Sequence, residues 1–186
     1  MTCVINNNSD GSVRAVLEFR RSELLYDISN AAYIEGRSLA AAGLRENASG
    51  EERSPLVHLI QDIAEEGNVD HLNRVLALQH AKITELLNAY TRRDVSRQII
   101  TDAAEAPAVY AVMMNIPAEF SQTTLDYLSR LIHDWLVAAV LHDWLSIHWP
   151  DKAPHWERRL SDLDEEIRGC ANARQAYRRR PLHPFG

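Results

Sequence analysis

The segment IHDWLVAAVLHDWLSIHW, residues 132–149, decides the fold because apolar side chains recur on nearly all sides of a helix through it. It contains His-Asp-Trp-Leu twice, nine residues apart. Nine helical residues turn through about 900°, so the two copies face opposite sides and one metal ion cannot contact both. A helix that is apolar all round is usually central, with neighbours on every flank. The repeat therefore predicts a scaffold rather than a metal site.

The segments before this helix predict three further helices. Residues 21–36 carry apolar side chains at helical spacing and end at Gly36, a residue that favours the left-handed conformation of a helix stop. A Ser-Pro pair starts a short second helix at Pro55, which Gly67 ends. A third helix is expected over about 68–90, and the short connection makes the last two an αα-hairpin.

The central helix is expected over residues 122–148, with Ser121 at its N-cap position. A last helix over residues 154–177 carries its apolar side chains on a near-heptad stripe. The pattern as a whole predicts a mainly α fold, an antiparallel bundle of four to five helices around the Trp-bearing helix. The predicted anchors of the core are Trp135, Trp144 and Trp156. Each buried indole N–H must find a hydrogen-bond acceptor.

Two segments are compatible with β-structure. VRAVLEF (13–19) alternates weakly between apolar and polar side chains. AVYAVMMNIP (108–117) is apolar and bounded by prolines. The two could pair as a small two-stranded β appendage beside the bundle. Residues 91–107 are mixed in character, and a short helix is one option there.

A single domain accounts for most of the chain. At 186 residues, folding buries roughly 70% of the unfolded surface, so neither a disulfide nor a metal is needed for stability. Residues 1–20 are expected to be a flexible leader with room for a short strand. Residues 21–177 are expected to form one helical domain, and residues 178–186 a basic tail that contains proline and phenylalanine.

Composition narrows the classes of function. The formal net charge of −6 argues against broad coating of nucleic acid. Asp134 and Asp143 lie in the most apolar window, and a central aspartate costs about 3 kcal/mol to insert into a bilayer. Cys3 and Cys170 are isolated, which indicates a reduced, cytoplasmic setting. No glycine-rich phosphate loop or metal-ligand spacing is present, so we expect no cofactor and no metal.

Two alternatives remain open on motifs alone. The helical hairpin could be a helix-turn-helix regulator, but its second helix offers only Arg74 and Lys82 as cations and the turn is acidic. A His/Asp enzyme would place His133, His142 or His148 in a cleft beside a carboxylate. No G-x-S-x-G motif and no recognisable Ser, His and Asp set favours a reaction.

The remaining charged side chains are expected to form salt-bridged faces. In DLDEEIRG (162–169), Asp164 and Arg168 are four residues apart in the favourable order for an ion pair. The Asp and His residues of the central helix are expected at the seams between helices. There they could pair with arginines of the neighbouring helices.

The end of the chain, AYRRRPLHPFG (176–186), is the most distinctive exposed element. Its two prolines favour an extended backbone. The arginines could pair with an acidic surface while the apolar side chains fill pockets, and a frayed, solvated end is the alternative. The predicted docking residues are Arg178, Arg179, Arg180, Leu182 and Phe185. The acidic surface could belong to a neighbouring copy of this chain.

Four stretches together resemble a family of small helical proteins of bacterial prophages and mobile elements, encoded near virion structural genes. They are ELLYDISNAAYIEG (23–36), GNVDHLNRVLALQ (67–79), residues 116–156 and RRRPLHPF (178–185). The chain departs from the family pattern in a longer N-terminal leader and in the alanine-rich insert at 38–55. The family has no assigned catalytic residues, so none carries over.

The resemblance implies a role in virion assembly or head–tail joining. The predicted function is therefore that of a non-enzymatic assembly or adaptor protein, which acts by oligomerisation and by docking of its tail. The expected partners are further copies of the chain and other virion proteins, without a membrane or a specific nucleic acid. The expected location is the cytoplasm of the host cell, with incorporation into the virion as an option.

Overall fold

The computed structural model describes residues 2–7, 12–46, 55–87, 106–117 and 120–172. In chain order they form β1 (Thr2–Asn7), β2 (Ser12–Arg20), α1 (Arg21–Glu46), α2 (Pro55–Gln61), a 3-10 turn (Asp62–Ala64), α3 (Glu66–Leu86), β3 (Val109–Pro117), α4 (Gln122–His148) and α5 (Ala153–Asn172). The prediction of a mainly α protein is confirmed. The helix expected over residues 91–107 falls almost wholly outside the described residues.

Helix α4 is the centre of the fold, as the apolar pattern predicted. Helices α1, α2, α3 and α5 all pack against it. Its buried side chains are Leu125, Leu128, Ser129, Leu131, Ile132, Trp135, Leu136, Ala138, Ala139, Val140, Leu141, Trp144 and Leu145. Ser121 lies at the N-cap position, but its side chain makes no capping hydrogen bond. Packing on every flank, rather than its cap, therefore holds this helix in place.

A three-stranded antiparallel sheet leads directly into α1, with β2 between β1 and β3. The expected pairing of residues 13–19 with 108–117 is confirmed, and its register places Leu17 opposite Val112. Alternate side chains of β2 and β3 face the helices and join the same core as the bundle. They are Val13, Ala15, Leu17, Phe19, Tyr110, Val112, Met114 and Ile116.

The third strand, β1, was not predicted. Residues Thr2–Asn7 pair with β2 in the register Thr2↔Glu18 to Asn7↔Val13, so the segment expected to be a leader contains a strand in addition to β2. In TCVINN the apolar side chains are consecutive, so the segment lacks the alternation from which a strand is predicted. Its backbone N–H and C=O groups gain partners because β2 presents a long free edge.

Gly36 does not end α1, contrary to the prediction. The helix continues to Glu46 with the buried Gly36 inside it. A Cβ at this position would lie 2.7 Å from Cγ of Gln61 in α2. The glycine is therefore explained by close approach of α2 to α1, rather than by a left-handed backbone.

Gly67 is likewise not a helix end. Helix α3 begins at Glu66, and Gly67 lies in its first turn. The turn between the paired helices is made instead by the 3-10 segment, where the Asn68 side-chain amide donates to the Asp62 carbonyl at 2.9 Å. The predicted αα-hairpin is present, but its turn lies a few residues earlier than the glycine indicated.

His80 of α3 lies over the outer edge of the sheet. Its Nε2 is 3.0 Å from the carbonyl oxygen of Ala111 in β3. Because a carbonyl oxygen only accepts, Nε2 is the donor of this hydrogen bond. Burial lowers the pKa of His80, while the bond to Ala111 opposes that shift. The bond joins α3 to an edge strand that would otherwise leave this carbonyl unpaired.

We predict opposite effects of Gly→Ala substitution at two helical positions. Gly169→Ala, where a Cβ meets nothing within 4 Å, should stabilise the protein by about 0.5–1 kcal/mol, the usual gain in a helix. Gly36→Ala should instead destabilise it by about 1 kcal/mol through overpacking against Gln61. Urea denaturation measures both changes. Adding Gln61→Ala to Gly36→Ala should recover the stability, and an equal gain at both glycines would contradict the close approach.

We also predict that acid weakens the fold partly through His80. The pKa of His80 in the folded protein lies below its unfolded value of about 6.5. The stability that depends on neutral His80 is therefore complete above pH 6.5, and it is lost as the pH falls through the folded pKa. His80→Gln keeps an N–H donor but does not titrate, so its free energy of unfolding should fall less between pH 7 and pH 5. His58→Gln, at an exposed histidine of α2, is the control. Identical pH profiles for wild type and His80→Gln would refute the prediction.

Candidate functional site

The two His-Asp-Trp-Leu copies point to different parts of the molecule, as their spacing predicted. His133 of the first copy lies against α1, where Nε2 is 2.8 Å from Oδ2 of Asp27. Trp144 of the second copy lies beside α2, with Nε1 donating to the carbonyl oxygen of Ile60 at 3.3 Å. The repeat therefore contacts separate elements and does not gather at one site.

The predicted core tryptophans are all buried. The indole of Trp135 donates to Oδ1 of Asp164 in α5 at 2.5 Å. Trp156 of α5 is buried, and the guanidinium carbon of Arg159 lies 5.7 Å from its ring centroid. Its indole N–H has no hydrogen-bond partner among the described residues, so the expectation that each buried indole finds an acceptor was wrong for Trp156. The prediction for Asp164 was wrong, because this carboxylate accepts from Trp135 and no ion pair with Arg168 is found in the described part of the chain. A buried indole N–H requires an acceptor from the protein, whereas an exposed arginine is solvated by water and gains little from a surface ion pair.

A shallow hollow opens beside His133. Its volume is about 420 Å³, and its lining residues are Ser22, Glu23, Tyr26, Asp27 and His133. Helix α1 supplies the first four because residues four apart lie one above the other on a helix. The histidine side chain is only 12% exposed, whereas that of Asp27 is 46% exposed. The hollow thus has a buried imidazole wall and a solvated carboxylate rim.

The electrostatic character of the hollow is acidic. Glu23 and Asp27 lie one turn apart on the same side of α1, and Glu23 also contacts Arg20 at 3.7 Å. Tyr26 also lines the hollow, and 71% of its surface is exposed. Carboxylates beside an exposed aromatic ring can bind a cation, and guanidinium fits both because it is planar.

A second His–Asp contact joins α3 to the far end of α4. Nε2 of His71 lies 3.4 Å from Oδ2 of Asp143. The ring of His148 packs on Trp144 with a centroid distance of 4.1 Å. Burial first, and the neighbouring His71 second, lower the pKa of His148. These groups lie where α3 packs against α4, and none of them lines the hollow at His133.

The prediction of the partners of the α4 histidines and aspartates was wrong. We expected arginines from the neighbouring helices, but His133 pairs with Asp27 and Asp143 with His71. Asp134 lies exposed on α4. A histidine can both donate and accept, so it satisfies a carboxylate at a seam without bringing a permanent charge to the core.

The predicted docking residues of the tail, Arg178, Arg179, Arg180, Leu182 and Phe185, lie outside the described residues. Across the five described ranges, no three His, Cys, Asp or Glu side chains come together in a set that could hold a metal ion. Among the helices in those ranges, none combines the length and apolarity needed to cross a membrane.

Three large apolar side chains are exposed on α1. Tyr26, Tyr33 and Ile34 are 71%, 49% and 58% exposed, and their spacing of seven and eight residues places them on one side of the helix. Arg37 adds a cation to this side, with its guanidinium 6.0 Å from the Tyr33 ring centroid. We call Tyr26, Tyr33 and Ile34 the α1 face.

Neither the hollow nor the α1 face was predicted, although His133 was one of three histidines considered. Within SELLYD (22–27), Ser22, Glu23 and Asp27 read as the polar side of an amphipathic helix, which is the usual solvated surface. Its i,i+4 pairs, Ser22 with Tyr26 and Glu23 with Asp27, were the available signal. Only the packing of α1 against α4 brings them to His133. No protein-family model, curated protein or solved structure matches the chain.

Proposed function

We propose that the chain is a non-enzymatic assembly or adaptor protein that binds protein surfaces, including further copies of itself. The observation that carries the proposal is the α1 face. Exposed aromatic side chains next to an arginine are the composition that distinguishes protein interfaces from other surface. Burying such side chains against a partner removes apolar area from water, which drives association.

The setting we propose is a phage or prophage virion, in head–tail joining or a similar assembly step. Support comes from the four stretches that resemble proteins encoded near virion structural genes. The chain would then be made in the cytoplasm of the host cell and incorporated into the particle. Its tail is the second binding element, because three consecutive arginines can pair with an acidic surface while Leu182 and Phe185 enter pockets.

The described surface gives less support to DNA binding. The exposed side of α3 includes Arg74 and Lys82, two turns apart, with the apolar Leu78 between them and 55% exposed. DNA-binding helices need a dense basic face to displace counterions from phosphates. An apolar side chain in the middle of this face suits a protein partner better.

A binding role predicts that two separate changes weaken association. Deleting residues 178–186, and separately Tyr33→Ser with Ile34→Ser on the α1 face, should each weaken self-association or partner capture about tenfold, a loss of about 1.4 kcal/mol. Light scattering measures the mass, and circular dichroism should show unchanged helix content. Leu78→Ser, on an exposed site of α3, is the control. A wild-type chain that stays monomeric and captures the same proteins as both variants would contradict the proposal.

One observation favours a second candidate, a His/Asp enzyme. His133 does lie beside a carboxylate and line an open hollow, the arrangement that a general base requires. In such an enzyme Asp27 would orient the imidazole and stabilise its protonated form.

The enzyme candidate predicts turnover that depends on this pair. Hydrolysis of p-nitrophenyl acetate and of bis-p-nitrophenyl phosphate should fall at least about a hundredfold in Asp27→Asn and His133→Gln, the usual contribution of general-base catalysis. Asp134→Asn, at an exposed aspartate of α4, is the matched control. Wild-type rates equal to those of buffer would count against an enzyme.

A further inference from the structure

We propose that two copies of this chain associate through β1, whose outer edge pairs in antiparallel orientation with β1 of the second copy. Ile5 of one copy faces Ile5 of the other, and the two three-stranded sheets become one sheet of six strands. The inference rests on the proposed function, since it requires that the chain self-associates. It names the surface and the register of that association.

Two contacts fix the alternation of hydrogen bonds between β2 and β3. The N–H of Arg21, directly after β2, donates at 3.0 Å to the carbonyl oxygen of Ala108, directly before β3. Paired residues of antiparallel strands exchange hydrogen bonds at every second position. Glu18 and Ala111, three pairs further along the register, therefore exchange none. The second contact agrees, because the carbonyl oxygen of Ala111 bonds instead to His80 of α3.

Half of the residues of β1 direct their backbone groups away from the sheet. Glu18 turns its N–H and C=O groups toward β1, where its partner is Thr2. Because backbone groups alternate in direction along a strand, Val4 and Asn6 also bond to β2. The residues whose N–H and C=O groups point outward are Cys3, Ile5 and Asn7. Within the described residues, β2 is the only strand that pairs with β1.

The two outer edges of the sheet differ in how they are protected. Pro107 precedes β3 and Pro117 ends it, while His80 of α3 bonds to its Ala111 carbonyl. Proline, charge and cover by a helix are the usual means of blocking an edge strand. The sequence of β1, TCVINN, contains neither a proline nor a charged residue. The edge at which a further strand can add is therefore that of β1.

Geometry and charge both favour a second copy of β1 as the added strand. A two-fold axis at Ile5 places Cys3 of each copy opposite Asn7 of the other, so every outward N–H and C=O group gains a partner. The chain carries a net charge of −6, but β1 carries none. Two copies therefore meet at this strand without like charges opposite each other. A strongly charged partner would find no opposite charge on it.

A disulfide that forms in only one register tests this pairing in the full chain. In Asn7→Cys the new thiol lies opposite the native Cys3 of the second copy, with Cα atoms about 5.5 Å apart, which a disulfide can span. Within one copy the same two positions are about 13 Å apart along the strand and cannot bond. Mild oxidation should therefore convert Asn7→Cys to a covalent dimer, seen on a non-reducing gel.

Matched variants separate this register from random collision. Asn6→Cys, one position out of register, should give no covalent dimer. Asn7→Cys combined with Cys3→Ser should also give none, because the two copies of position 7 are about 13 Å apart in the proposed pairing.

A proline variant tests the same pairing without a cross-link. Ile5→Pro removes an outward N–H that β2 does not use, so it should weaken self-association about tenfold by light scattering. Ile5→Ala keeps this N–H and should associate within about threefold of wild type. Circular dichroism should show the same helix content in every variant.

The contrary outcomes are distinct. A wild-type chain that associates, without a cross-link in Asn7→Cys, would overturn pairing through β1 and leave the proposed function standing. Equal cross-linking of Asn6→Cys and Asn7→Cys, or equal association of Ile5→Pro and Ile5→Ala, would also overturn it. A wild-type chain that remains monomeric would end this inference, whereas the proposed function falls only if the tail and α1-face variants also capture partners normally.

Discussion

The burial of α4 on every flank is the constraint on which the rest of the structure depends. An isolated helix with apolar side chains all round would expose them to water, so neighbours must cover each side. Helices α1, α2, α3 and α5 do so. The inner face of the sheet extends the same core. Most large apolar side chains of the described chain therefore meet in one continuous cluster around this helix.

Buried polar atoms in that core determine which hydrogen bonds form between neighbouring helices. Each buried donor costs about 1–3 kcal/mol if it lacks a partner, and among the three core tryptophans only the indole N–H of Trp156 lacks one within the described residues. The indoles of Trp135 and Trp144 bond to a carboxylate of α5 and a carbonyl of α2. His133 bonds to Asp27. The hollow arises at this last seam because Asp27, although it holds a buried imidazole, remains partly in water.

The hollow and the α1 face lie next to each other on α1, and together they are the surface that we propose binds a partner. Tyr26 belongs to both, so one side of α1 offers apolar area and negative charge together. Apolar area favours association with many partners, whereas fixed charges discriminate among them.

The sequence by itself determined the bounds of α4, the burial of its tryptophans, the opposite directions of the two repeats and the pairing of β2 with β3, because each follows from local periodicity or spacing. Only the tertiary structure decided that Gly36 and Gly67 lie inside helices, since close approach and turn position depend on residues distant in sequence. The same holds for Asp164 beside Trp135 and for Asp27 beside His133, 106 residues apart in the chain. The sequence around a helix-surface carboxylate is the same whether the carboxylate faces water or bonds to an imidazole. The angle at which two helices pack decides which of the two it contacts.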